Sequence, residues 1–204
     1  KDHSVKRLSE YRASIEGKGV RYINYCGLMC HAYWMAGEFE EAIRFGEEGV
    51  ALKASSNVDT KFDASHNLAL AQRDGGYVGP ALERFLLGAS VSDIVSQKKI
   101  EISRGGAYYG NIGRCLQLMG QIGPALSCYA KSAVLIEKMY DATRATNQAY
   151  IRQWVGETLL ASGDTYRGRT FLKASAAKWE PVGSPRAAML RDRVAKTDTL
   201  IELP

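Results

Sequence analysis

The sequence predicts an all-α chain, a stack of about four antiparallel helical hairpins, and three observations predict it. A glycine-centred segment recurs four times. Each copy is flanked on both sides by a stretch with helical apolar spacing, and a small residue follows the glycine at a fixed distance. The two clearest copies are Gly76-Tyr77-Val78-Gly79-Pro80-Ala81-Leu82 and Gly120-Gln121-Ile122-Gly123-Pro124-Ala125-Leu126. An earlier copy reads Gly37-Glu38-Phe39-Glu40-Glu41-Ala42-Ile43, and a weaker later one reads Gly163-Asp164-Thr165-Tyr166-Arg167-Gly168-Arg169. The four glycines stand 39, 44 and 43 residues apart.

Taken in chain order, residues 4–17 read as a helix with Val5, Leu8, Tyr11 or Arg12, and Ile15 on one side, so residues 1–19 are assigned to a flanking helix. First helices of hairpins are expected over residues 22–36, 62–73, 103–119 and 146–162, with partners starting near Phe39, Gly79, Gly123 and Tyr166. Between them a glycine can take the left-handed conformation that ends one helix, and an apolar residue two positions on packs back to start the next. Pro80 and Pro124 sit in first turns, where a missing N–H costs nothing. Ala42, Ala81 and Ala125 lie five residues past their glycines and let paired helices approach closely. The array is placed at 20–180, in units of about 20–57, 58–97, 98–140 and 141–180. Ser184 and Pro185 cap a closing helix within 181–204, with Ala187, Leu190 and Val194 inward and Arg186, Arg191, Asp192 and Arg193 toward water.

The totals fit this picture. The 204 residues are 46% apolar and 24% charged, and charged residues interrupt every run that approaches the roughly 18 to 20 apolar residues of a membrane span. The net charge of +5 is spread along the chain, which gives a mild bias toward acidic partners rather than a nucleic-acid arm. Cys26, Cys30, Cys115 and Cys128 fall inside apolar helical patterns, as buried thiols in a reducing, cytoplasmic setting would. A start at Lys1 leads us to expect further sequence upstream, so that the array is part of a larger protein.

The third unit reads Tyr109-Gly110-Asn111-Ile112-Gly113, then Leu116, Gly120, Ala125 and Tyr129. The first keeps Met29, Ala32, Tyr33, Gly37 and Ala42; the second Asn67, Leu68, Ala69, Ala81 and Phe85; the fourth Val155, Gly156 and Gly163, with Gly168 in place of alanine. In this register the chain resembles the tetratricopeptide repeat (TPR) family over residues 20–180. Its period exceeds the family's usual value of about 34, as in the longer repeats of kinesin light chains and some bacterial signalling regulators. The resemblance implies a right-handed superhelical solenoid whose first helices line a concave groove. It also implies a non-enzymatic module that binds a protein or peptide there, without a cofactor. Carried over by register, the groove residues are Asn24, His31, Trp34, Asp63, His66, Arg73, Arg114, Gln117, Tyr150, Gln153 and Glu157. Arg73 and Arg114 would grip a carboxylate, Trp34 and Tyr150 would anchor apolar side chains, and the amides would bond a backbone. Asn67 and Asn111 share a register that suits either a neighbouring helix or a bound chain. The family's chaperone-tail clamp is not expected, because Gly27, His66 and Gly110 stand where its first lysine would.

Other chemistry is weaker. Cys26 and Cys30 share a helix face, but His31 points about 100° away, so they make a poor metal site. Asp63, His66 and Glu157 lack the nucleophile and dry pocket that acid–base catalysis needs. Gly75-Gly76 and Gly105-Gly106 lack the strand, lysine and hydroxyl of a phosphate loop. Lys98, Lys99 and Arg104, with Arg186, Arg191, Arg193 and Lys196, form the grouping best suited to track nucleic-acid phosphates, and no repeated polar code accompanies them. Two further readings are a sensor or autoinhibitory domain of a bacterial multidomain regulator, with another domain of the same chain as partner, and a homodimer formed through residues 4–17.

Overall fold

The computed structural model describes residues 10–15, 19–56, 64–97, 105–138 and 143–201. Among them it contains helices and turns and no strand. The chain forms two compact units, residues 1–84 and 85–204.

The first unit contains α1 (Val20–Ala36), α2 (Phe39–Ser56), α3 (Ala64–Asp74) and the start of α4 (Val78–Gln97). The second contains the rest of α4, α5 (Gly105–Leu118), α6 (Ile122–Glu137), α7 (Arg144–Ala161) and α8 (Thr165–Trp179). A single 3₁₀ turn (Glu180–Val182) and α9 (Pro185–Ile201) complete it.

All four repeat glycines have positive φ, from 75° at Gly120 to 93° at Gly76, a region that a side chain would disfavour. The residue after each donates its N–H to the carbonyl five positions back: Glu38 to Tyr33, Tyr77 to Gln72, Gln121 to Leu116 and Asp164 to Leu159, at 2.7–3.0 Å. This bond satisfies a carbonyl that the helix end would otherwise leave open, so the turn is specified by local chemistry. Ala42, Ala81 and Ala125 are fully buried, as their register predicts. In the fourth hairpin glycine replaces alanine with reason: a Cβ on Gly168 would lie 2.8 Å from Leu160 Cγ and 3.0 Å from the Gly156 carbonyl. One on Gly156 would lie 2.9 Å from the Gly168 carbonyl. The α7 and α8 backbones therefore touch at a glycine pair.

In residues 1–84 the core gathers Tyr22, Tyr25, Cys26, Met29, Cys30, Ala42, Phe45 and Ala71. Residues 10–15 are helical, Ile15 is buried in this core, and the Arg12 guanidinium lies 5.6 Å from the Phe45 ring centroid, while Tyr11 is exposed. The rest of the helix expected over 4–17 lies outside the described residues. In residues 85–204, Ala125, Tyr129, Ile136 and Ile151 form one cluster. Leu172, Ala176 and Trp179 form another with Ala187, Leu190 and Val194 of α9. Burying a leucine such as Leu172 or Leu190 contributes about 2 kcal/mol, so α9 is held by its apolar face as the sequence predicts. Its N-terminus is capped by Ser184, whose Oγ accepts from the Arg186 N–H at 3.3 Å. Arg186 departs from expectation: it is half-buried and does not simply face water.

Candidate functional site

Each unit presents polar and aromatic side chains from its first helices, and each organises them around one carboxylate. In residues 1–84 that carboxylate is Asp74, the last residue of α3. Arg73 clasps it from the adjacent position, Nε to Oδ1 at 2.7 Å and Nη2 to Oδ2 at 2.8 Å. Trp34 on α1 donates its Nε1 hydrogen to Oδ2 at 2.8 Å, and His31 rests against the Trp34 ring at 5.4 Å. Trp34, His31 and Arg73 are thus brought together, through an aspartate that the repeat register did not single out. Arg73 is buried, so its fork is committed inside the unit, and an incoming carboxylate would compete with Asp74 for it. Asn24 and His66 are half-buried and take part in other interactions. Asp63 lies outside the described residues.

In residues 85–204 the carboxylate is Glu157, on α7, with its side chain only 10% exposed. Arg114 on α5 donates from Nη1 to Oε2 at 2.7 Å, Gln153 donates from Nε2 to Oε1 at 3.0 Å, and Arg193 on α9 donates from Nη1 to Oε1 at 3.0 Å. Gln117 accepts from Arg114 Nη1 at 2.9 Å and from the Tyr129 hydroxyl at 2.7 Å. The structure therefore joins Arg114, Gln117, Gln153 and Glu157 into one network. Tyr150 adjoins it: its ring is 5.5 Å from that of Trp154, over which the Arg114 guanidinium sits at 5.9 Å. Gln153 is buried, and its Oε1 is a buried acceptor with no hydrogen-bond donor among the described residues.

Sequence reasoning missed Asp74, Trp154, Arg186 and Arg193 as members of these faces. Arg186 lies 5.0 Å from the Tyr150 ring centroid and 5.9 Å from that of Trp179. A signal existed in the spacing of Arg186 and Arg193, which are seven residues apart and so share a helix face. The two amides in register are used internally: Asn67 Nδ2 donates to the Gly27 carbonyl at 3.0 Å and Asn111 Nδ2 to the Ala107 carbonyl at 2.9 Å.

The other candidates carry no reactive geometry. Cys26 and Cys30 are fully buried, while His31 is exposed. Burial, with the Glu48 charge adding to it, pushes the Cys26 thiol up to about 11, and burial pushes Cys30 up to about 12, so both are protonated near neutral pH. Among the described residues no cluster of His, Cys, Asp or Glu could hold a metal ion, and no helix is long and apolar enough to cross a membrane. Of the basic stripe, Lys98, Lys99 and Arg104 lie outside the described residues, and Arg191, Arg193 and Lys196 pair with Glu180, Glu157 and Asp192. Charge is divided unevenly. Residues 1–84 hold eleven Lys or Arg against twelve Asp or Glu, and residues 85–204 hold sixteen against ten, so the positive excess expected to be spread along the chain belongs to the second unit.

Hairpins closed by left-handed glycines, small residues where helices meet, and a register of 39 to 44 residues define a TPR-like helical-repeat fold. Solved structures agree. The chain is similar to BtubC (BKLC) from P. vanneervenii, with 14% identity, a TM-score of 0.59, and 98% of this chain and 90% of that one covered. It is also similar to a Podosopora anserina protein described as a putative kinesin light chain with nearly identical TPR-like repeats, with 17% identity, a TM-score of 0.56 and coverage of 84% and 83%. A singly substituted form of that protein gives a TM-score of 0.57 at 17% identity, covering 84% and 82%. No protein-family model matches the chain. No curated protein matches it.

Proposed function

We propose that this chain is a non-enzymatic protein-interaction module that binds a peptide or helix of a partner on its first-helix faces, the firmest candidate being the face of residues 85–204. The observation that carries this reading is the Arg114–Glu157–Arg193 network with its flanking amides and rings. Two guanidiniums held by one carboxylate are pre-positioned, so a ligand need not pay to order them, and their remaining donors match a carboxylate or a backbone carbonyl. Tyr150 and Trp154 supply rigid aromatic area beside the polar groups, the combination that gives interfaces most of their energy. His31 and Trp34 offer a smaller counterpart in residues 1–84. Catalysis finds little support on these faces, since the Cys26 and Cys30 thiols are buried with raised pKa values and the Glu157 carboxylate is held by two arginines. Four free cysteines suit a reducing, cytoplasmic compartment.

Nucleic acid fits less well, because three of the four α9 cations that would meet phosphates, Arg191, Arg193 and Lys196, are already paired with acids, and a single remaining one, Arg186, cannot track a phosphate backbone. A pull-down from native lysate with the wild-type protein and with Arg114→Glu tests the reading. A polypeptide retained by the wild type and lost by the folded variant supports it. If both retain the same material, or only nucleic acid that salt releases, the reading is wrong.

A further inference from the structure

The closing helix α9 does more than cover an apolar end. Its inward side chains, Ala187, Leu190 and Val194, are packed against α8, and a second stripe, Arg186 and Arg193, leans over α7. These two arginines touch Tyr150 and Glu157, residues that the repeat register assigns to the binding face. A helix serving only as a cap has no need of cations there.

The two arginines differ in what they have left to offer. Arg193 uses Nη1 on Glu157 and is about half exposed (48%), so Nε and Nη2 remain for another acceptor. Arg186 is half-buried with its guanidinium over the Tyr150 and Trp179 rings, and among the described residues no carboxylate pairs with it. The two rings attract the cation without supplying an acid to pair its charge, so Arg186 is a positioned cation open to an anion. With Arg114 the face holds three guanidiniums to one carboxylate, on the unit that carries the chain's positive excess.

We propose that α9 is a third row of the partner-binding face and that the partner it fits is an acidic peptide segment, with carboxylates meeting Arg186 and Arg193. The proposal rests on the binding reading above and deepens it. Seven helical residues separate the two arginines by about 10 Å along α9. An extended chain rises about 3.3 Å per residue, so the matching acids stand roughly two to four residues apart.

The test is a selection of random 12-residue peptides displayed on phage against the whole 204-residue protein, followed by fluorescence polarisation with the best peptide made synthetically. Arg186→Gln and Arg193→Gln are measured beside Arg191→Gln, a control whose exposed side chain pairs with Glu180 away from the face. Arg186→Lys keeps the charge without the planar guanidinium, and thermal unfolding verifies that each variant is folded. The expected result is enrichment of acids at that spacing. Affinity should fall about tenfold for Arg186→Gln and for Arg193→Gln, with Arg191→Gln within about twofold of wild type. Acidic peptides that bind all variants alike, but are lost on Arg114→Glu, would overturn the role of α9 and leave the binding reading standing. Enrichment of apolar or basic peptides would overturn the acidic partner. If no peptide is enriched, both readings fall.

Discussion

Twelve residues past its turn glycine, the hairpin of residues 1–84 carries Gly49, and the same register in residues 85–204 carries Gly88, Ser132 and Ser175. The serines are fully buried, and each ties the second helix of its hairpin to the first. Ser132 Oγ donates to the Gly106 carbonyl at 2.6 Å and Ser175 Oγ to the Ala149 carbonyl at 2.7 Å. The glycines serve contact instead: a Cβ on Gly49 would lie 3.0 Å from Cys26 Cβ, and one on Gly88 would lie 2.2 Å from the Tyr108 ring. The difference teaches that the repeat demands closeness at this position and tolerates two chemistries for it, empty space or a short hydroxyl that bonds the opposite backbone. Function diverges more than packing does. The first unit is nearly neutral and closes its polar face with a tryptophan, an arginine and an aspartate, whereas the second is basic and leaves one guanidinium over aromatic rings and another half exposed.

The comparison can be broken hardest at Gly88. Gly88→Ala forces the buried Tyr108 ring aside and should cost about 3 kcal/mol, against about 1 kcal/mol for Gly49→Ala, where two methyl-sized neighbours need give only slightly. Urea unfolding of the two variants measures this, and equal losses would show that the contacts are equivalent after all.

Next in size is Glu157→Gln, which leaves Arg114 and Arg193 facing an amide. Because both arginines are partly exposed, water screens the loss, and about 1.5 kcal/mol of destabilisation is expected. A change below about 0.3 kcal/mol in the same urea experiment would mean that the network adds no stability and serves only to place charge.

Ser132→Ala and Ser175→Ala each remove one buried hydrogen bond and should cost about 1 kcal/mol apiece. The sites are in different hairpins, so the double variant should lose close to the sum. If neither substitution costs anything, the hydroxyl merely occupies space that alanine fills as well.

The smallest effect near neutral pH is electrostatic and belongs to residues 1–84. Burial raises Cys26 from 9.0 to about 11, Cys30 from 9.0 to about 12 and Tyr22 from 10.0 to about 12, the last helped by its hydrogen bond to Glu48. Groups whose pKa rises on folding stabilise fully while the unfolded chain is also protonated, below about pH 9, and that contribution is lost as pH climbs through 11 to 12. Thermal unfolding from pH 8 to 11 should show a falling midpoint, and a shallower fall in Cys26→Ala/Cys30→Ala. Parallel curves would remove the thiols as the cause.

Much of the fold was legible in the chain. Gly37, Gly76, Gly120 and Gly163 announced the turns, and Ala42, Ala81 and Ala125 announced the contacts behind them, because each depends on chemistry within a turn or two of helix. The binding face was legible only as a register. Arg114 and Glu157 were both chosen from it, yet their direct pairing was not foreseen, and Arg193, exposed as a polar outer face predicts, also reaches Glu157, which its register did not announce. Asp74 went unnoticed because nothing in its neighbourhood distinguishes it from an ordinary acid at a helix end.

The sequence by itself determined the all-α class, the hairpin turns, the buried small residues and the apolar stripe of α9, since periodicity and glycine conformation act over a few residues. Tertiary structure alone decided which polar groups meet: Trp34 with Asp74 across 40 residues, Arg114 with Glu157 across 43, Arg193 with Glu157 across 36. Such pairings depend on the rotation of one packed helix against another, a quantity spread over every contact in the interface and written in no single residue.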